Sequence, residues 1–142
     1  MTAKRRLQTF TAAAALFVLA ACSGMATDTG GGLKLSGDQE VPPVTTMATG
    51  TSTIKIAADG SVSGSVTTTG MDGAAAHIHI APMGKNGPVI VPFVKTADGV
   101  WSPQPGAKLT PDQLKAFQAG ELYINVHTAA NKGGEIRAQL KP

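Results

Sequence analysis

Three histidines are the residues of this chain best suited to chemistry: His77, His79 and His127. The first two flank one isoleucine in the run AAAHIHI. On a β-strand, residues two apart point to the same face, with Cα atoms about 6.6 Å apart. Two imidazoles so placed can converge on one metal ion at nitrogen distances of about 2.0–2.1 Å. Imidazole suits both copper and zinc. Met83, four residues past His79, offers a soft thioether to Cu(I), or else fills a gap or sits in a surface loop. Any one of these histidines would be at home on a hydrated strand face. The H-x-H pair, a third strand histidine and none elsewhere in the chain together point to a metal. Glu40 is either an acceptor for a histidine N–H or a charged residue ahead of a proline-stiffened turn. No nucleophilic triad, phosphate-cradling glycine loop or catalytic cysteine signature is present.

The elements that carry these side chains alternate apolar and polar residues. Segments 50–58 and 61–69, joined at Asp59-Gly60, predict a hairpin rich in Thr and Ser. Further strands are expected over 74–80, 88–94, 121–128 and 135–140, with turns at Ala97-Asp98-Gly99 and Asn131-Lys132-Gly133-Gly134. Pro92 places its strand at an edge or a bulge. In 121–128, Leu122, Ile124 and Val126 form the core row, and Tyr123, Asn125 and His127 the opposite one. In the last strand Ile136, Ala138 and Leu140 point inward, so Arg137 and Gln139 point out with His127. One helix is expected near 111–119: Thr110 caps it, Pro111 starts it, Gln113 completes a capping box and Gly120 stops it. The expected fold is all-β, an antiparallel Greek-key sandwich or barrel with that one short helix.

Composition bounds the partners. The chain has 142 residues, 12 Lys+Arg and 9 Asp+Glu, a formal net charge of +3. Lys4, Arg5 and Arg6 account for the whole excess, because residues 1–21 hold no acid. Without them the charge is zero, which gives no nucleic-acid footprint. Those residues form a basic start and then the apolar run TFTAAAALFVLAA, the pattern of an export signal too short for an ordinary transmembrane helix. Leu19-Ala20-Ala21-Cys22 resembles a bacterial lipobox. That resemblance implies a signal peptide over 1–21, a lipidated Cys22 and, with Ser23 following, sorting to the outer membrane, facing the periplasm. Residues 22–32 then form a glycine-rich tether and 33–142 the domain.

A family resemblance rests on motifs that occur in order: Gln39-Glu40-Val41-Pro42-Pro43-Val44, Ala76-His77-Ile78-His79, Asn86-Gly87-Pro88-Val89, Leu122-Tyr123-Ile124-Asn125-Val126-His127-Thr128 and Gly133-Gly134-Glu135-Ile136-Arg137. Together they resemble the CHRD domain, a module of exported proteins, over residues 33–140. The H-x-H strand, the later V-H and the arginine of the final strand are also similar to copper–zinc superoxide dismutases. That similarity implies a dismutase-like barrel, with His77, His79 and His127 as copper ligands and Arg137 as an anion guide. The chain departs from those enzymes in having no fourth histidine, no zinc-loop histidine cluster and one cysteine where they have a pair. The leading expectation is therefore an envelope lipoprotein, without catalytic activity, that binds copper or, second, zinc. The alternatives are an interaction module offering loops or an edge strand to an envelope partner, and a dismutase-type copper enzyme.

Overall fold

The computed structural model describes residues 32–142. The expected export signal, Cys22 and most of the tether lie outside these residues. Within them the chain forms ten strands and one α-helix: β1 Leu33–Leu35, β2 Thr49–Ser52, β3 Lys55–Ile56, β4 Val62–Ser63, β5 Val66–Thr69, β6 Ala75–Ile80, β7 Val89–Ala97, β8 Val100–Pro103, α1 Pro111–Gln118, β9 Leu122–His127 and β10 Ile136–Gln139. No helix among the described residues is long and apolar enough to cross a membrane.

Eight strands make one antiparallel sheet in the order β1-β2-β5-β8-β7-β6-β9-β10. Strands β6, β7 and β8 follow one another, and β9 returns through α1 to lie beside β6, the Greek-key arrangement. The two outer strands meet. Ser36 N donates to Arg137 O at 3.1 Å and Arg137 N to Ser36 O at 3.0 Å, which closes the sheet into a barrel. Closure leaves the eight-stranded sheet without a free edge, while β3 and β4 form a separate two-stranded ladder.

The apolar rows behave as alternation requires. Leu35, Val66, Ile78, Leu122, Ile124, Val126, Ile136 and Ala138 are each at most 1 % exposed and fill the barrel. The α1 capping box is present, with Gln113 N donating to Thr110 Oγ1 and Thr110 N to Gln113 Oε1.

Several expectations need correction. The 50–58/61–69 hairpin exists, but as two short ladders, β2 with β5 and β3 with β4, separated around Gly64. Gly64 has φ +101°, a left-handed conformation that a side chain would resist. Strands β1 and β8 are absent from the sequence reading because three or four residues carry too little periodicity. Pro92 lies in β7, which is central and not an edge strand. The irregularity it signals is close by: Ile78 pairs with Val91 but His79 with Val89, leaving Ile90 as a bulge opposite the H-x-H run.

The largest correction concerns the polar rows. Arg137 and Gln139 do point away from the apolar core, yet they are only 2 % and 7 % exposed. Tyr123 and Asn125 are likewise buried. The loops around residues 37–44, 82–88 and 129–135 fold over this face and make a second, polar interior. Arg137 ties it together, with Nη2 donating to Lys85 O at 2.8 Å and Nη1 to Asn86 Oδ1 at 3.1 Å.

Candidate metal centre

Register brings the three histidines together. In the β6/β9 ladder Ala75 faces His127, His77 faces Asn125 and His79 faces Tyr123. Paired residues share a face, so His77, His79 and His127 all project from one side of the two strands. Their ring centroids are 4.9 to 5.8 Å apart. One ligand nitrogen from each lies within 4.8 Å of the others. His79 is buried, and His77 and His127 are half-buried.

The protons on these rings follow from what the nitrogens face. His127 Nδ1 is 2.9 Å from Lys132 O, and His79 Nδ1 is 2.9 Å from Gly87 O. A carbonyl only accepts, so both Nδ1 atoms carry the proton and both Nε2 atoms carry a lone pair. His77 Nδ1 lies 3.0 Å from His127 Nε2 and, since that nitrogen carries a lone pair, donates to it. Among the described residues nothing hydrogen-bonds the buried His79 Nε2. Asn125 is close enough to favour a protonated His79 ring, yet neither Asn125 Oδ1 nor His79 Nε2 makes a hydrogen bond. Leaving such an atom unsatisfied costs about 1–3 kcal/mol. A buried lone pair beside two other imidazoles, with the opposite N–H held by a backbone carbonyl, is how metal-ligating histidines are oriented. The residues present therefore fit a transition-metal ion.

Electrostatics keep the rings neutral, as metal ligation requires. Burial pushes His77 down to about 4, with the neighbouring His127 and His79 adding to the effect. Burial also lowers His79 and His127, partly opposed by their carbonyl partners Gly87 and Lys132.

The other expected participants stand elsewhere. Met83 is 72 % exposed and lines a surface cavity of about 350 Å³ with Glu40, Val41 and Gln139. Glu40 does precede the Pro42-Pro43 segment, but it is 4 % exposed; among the described residues its Oε1 has no partner and no histidine hydrogen-bonds to it. Burial raises its carboxyl to about 7, against weaker pulls from the Arg137 charge, Asn125 and the Val41 amide. Arg137 is buried with donors committed to Lys85, Asn86 and Gln139, so it is not placed to meet an incoming anion. Sequence reasoning missed Gly87, whose carbonyl orients His79, and Tyr123, which packs on it. The Asn86-Gly87-Pro88 motif was the available signal for the first.

Two titrations with opposite signs shape acid stability. The histidines sit below their ordinary value, so the stability they allow is full above about pH 6.5 and is lost as pH falls toward 4. Glu40 sits above its ordinary 4.5, so its contribution is full below 4.5 and is lost as pH rises through about 7. Glu40→Gln is expected to raise stability at pH 8 by roughly 1–2 kcal/mol after solvent screening, with no gain below pH 4.5. Urea midpoints across pH 4–8 check this, and an unchanged midpoint at pH 8 contradicts it.

The comparisons with known proteins bear on the same residues. The CHRD domain profile matches residues 32–140, which contain every strand and all three histidines. The chain belongs to the CHRD domain family. No curated protein and no solved structure gives a significant match. The CHRD domain thus covers the whole barrel, including the loops that close over its polar face.

Proposed function

We propose that this CHRD protein is a lipid-anchored component of the bacterial cell envelope that binds one transition-metal ion through His77, His79 and His127, and that it is not an enzyme. The observation that carries the metal reading is the pair of Nδ1–H bonds to Gly87 O and Lys132 O, which turn two Nε2 lone pairs toward one space beside His77. Copper is the first choice and zinc the second, since imidazole sites bind Cu(II) more tightly than Zn(II) in the usual divalent order. Three nitrogen donors from rigid strands would hold the ion, and the metal would supply a Lewis-acidic or redox-capable centre. The anchor reading rests on Leu19-Ala20-Ala21-Cys22 after a basic and apolar leader.

Titration of the purified protein with Cu(II) and Zn(II) at pH 7.5 tests the metal reading. The expected result is one equivalent of copper bound at sub-micromolar Kd, with zinc weaker. No binding of either ion above that of a histidine-free control contradicts it. For the anchor, Cys22→Ser should shift the protein from the membrane fraction to the soluble periplasmic one and stop incorporation of radiolabelled acyl chains.

A further inference from the structure

Tyr123 shares the polar face of β9 with His127 and packs directly against the candidate metal centre. Its ring lies parallel to the His79 imidazole, with an interplanar angle of 4° and centroids 4.7 Å apart. Arg137, from β10 on the other side of β9, places its guanidinium carbon 3.4 Å from the Tyr123 ring centroid. The flat tyrosine is thus held between a cation and an imidazole. Its hydroxyl accepts from Gly87 N at 3.1 Å and donates to Gly87 O at 3.5 Å, and Gly87 O also accepts from His79 Nδ1 at 2.9 Å. Tyr123 therefore touches His79 twice, ring against ring and through the Gly87 peptide. Arg137 grips the adjoining Lys85 and Asn86, so residues 85–87 are pinned at three points.

An imidazole on its own would not stay as His79 does. The terminal torsion of a histidine is broad, and turning or retautomerising the ring would give its buried Nε2 a better environment. Something must hold the ring against that tendency. We propose that Tyr123, backed by Arg137, is a positioning residue for the centre, locking the plane and tautomer of His79 so that Nε2 is presented to His77 and His127 before any metal arrives. This rests on the metal reading of those three histidines and states how their site is preorganised. Preorganisation matters because ordering a ligand at the moment of binding subtracts from affinity. It also gives the buried arginine a role, that of bracing the tyrosine.

Two variants of the full-length protein test it, in two measurements. In Tyr123→Phe the ring and its stacking survive and only the two hydroxyl bonds to Gly87 are lost. In Tyr123→Leu the plane itself is lost. In metal-free wild type at pH 7.5, side-chain ¹⁵N spectra should show His79 and His127 each as a single Nδ1–H tautomer. The Phe variant should show His79 shifting toward the Nε2–H form while His127, held by Lys132 O, stays unchanged. General loosening of the fold would move both histidines, so His127 serves as the internal control. Affinity for Cu(II) should fall about tenfold in Tyr123→Phe and up to about a hundredfold in Tyr123→Leu, the range found when the orienting partner of a ligand is removed. Should the Leu variant fail to fold, the Phe variant still decides. A His79 tautomer that is unmoved in Tyr123→Phe, with copper affinity within twofold of wild type, overturns the inference. If wild type binds no copper, the metal reading fails by itself, and the tautomer measurement alone still decides whether Tyr123 positions His79.

Discussion

Alanine at His77, His79 and His127 together should leave the barrel folded and remove high-affinity copper binding altogether. Each single replacement should cost about a hundredfold to a thousandfold. That follows from sharing the roughly 10–16 kcal/mol of a four-ligand imidazole or thiolate site equally among its donors. The barrel should survive because the histidines stand on the polar face, outside the cluster of Leu35, Val66, Ile78, Ile124 and Ile136 that fills the interior. The metal-free triple variant should also lose most of the acid sensitivity that the depressed histidines impose between pH 6.5 and 4. Metal titration, with urea midpoints at pH 5 and 7.5, checks both. Sub-micromolar copper binding that survives the triple replacement would sink the assignment of these residues.

A second large effect is expected from one methyl group. A Cβ at Gly87 would collide with the backbone carbonyl of Ile80, and it would also press on the Ala81 side chain. A backbone carbonyl inside a ladder cannot swing aside as the end of a lysine can, so residues 85–88 must move instead. Gly87 presents its carbonyl to His79 and its N–H to Tyr123, and both contacts depend on that close approach. Gly87→Ala should therefore lower copper affinity by at least about tenfold while destabilising the protein by about 1–3 kcal/mol. Gly84→Ala in the same loop has nothing within 4 Å of the new methyl, but its φ of +76° makes it a test of backbone strain alone. It should destabilise by less and leave copper affinity near wild type. Equal losses of affinity in the two variants would show that loop strain, and not the Gly87 carbonyl, governs the site.

Much of this site was legible from the order of residues, because parity on a strand is a strict rule. His77 and His79 had to share a face, and the alternation of Leu122, Ile124 and Val126 had to turn Tyr123, Asn125 and His127 the same way. Helix α1 could be placed to within a residue from Thr110, Pro111, Gln113 and Gly120. What alternation could not reveal was the fate of the second face. A polar row on a strand reads as hydrated, yet Tyr123, Asn125, Arg137 and Gln139 are buried beneath loops that arrive from far along the chain. Asn86 donates to Val41 O across 45 residues, and Arg137 reaches Lys85 across 52. No local pattern encodes such contacts. The same blindness undervalued Glu40, whose burial depends on that cover, while Met83 stands exposed, as a surface-loop residue would. Pro92 marked a real irregularity, but strand order, which decides edge from centre, is a property of the whole sheet.

X-ray absorption on the protein loaded with one equivalent of copper tests the central claim most directly. A three-histidine centre predicts about three nitrogen neighbours near 2 Å, together with the outer-shell scattering of imidazole rings, and that scattering should vanish in the triple alanine variant. A first shell of nitrogen and oxygen without imidazole scattering, or an unchanged spectrum after the three histidines are replaced, would contradict it.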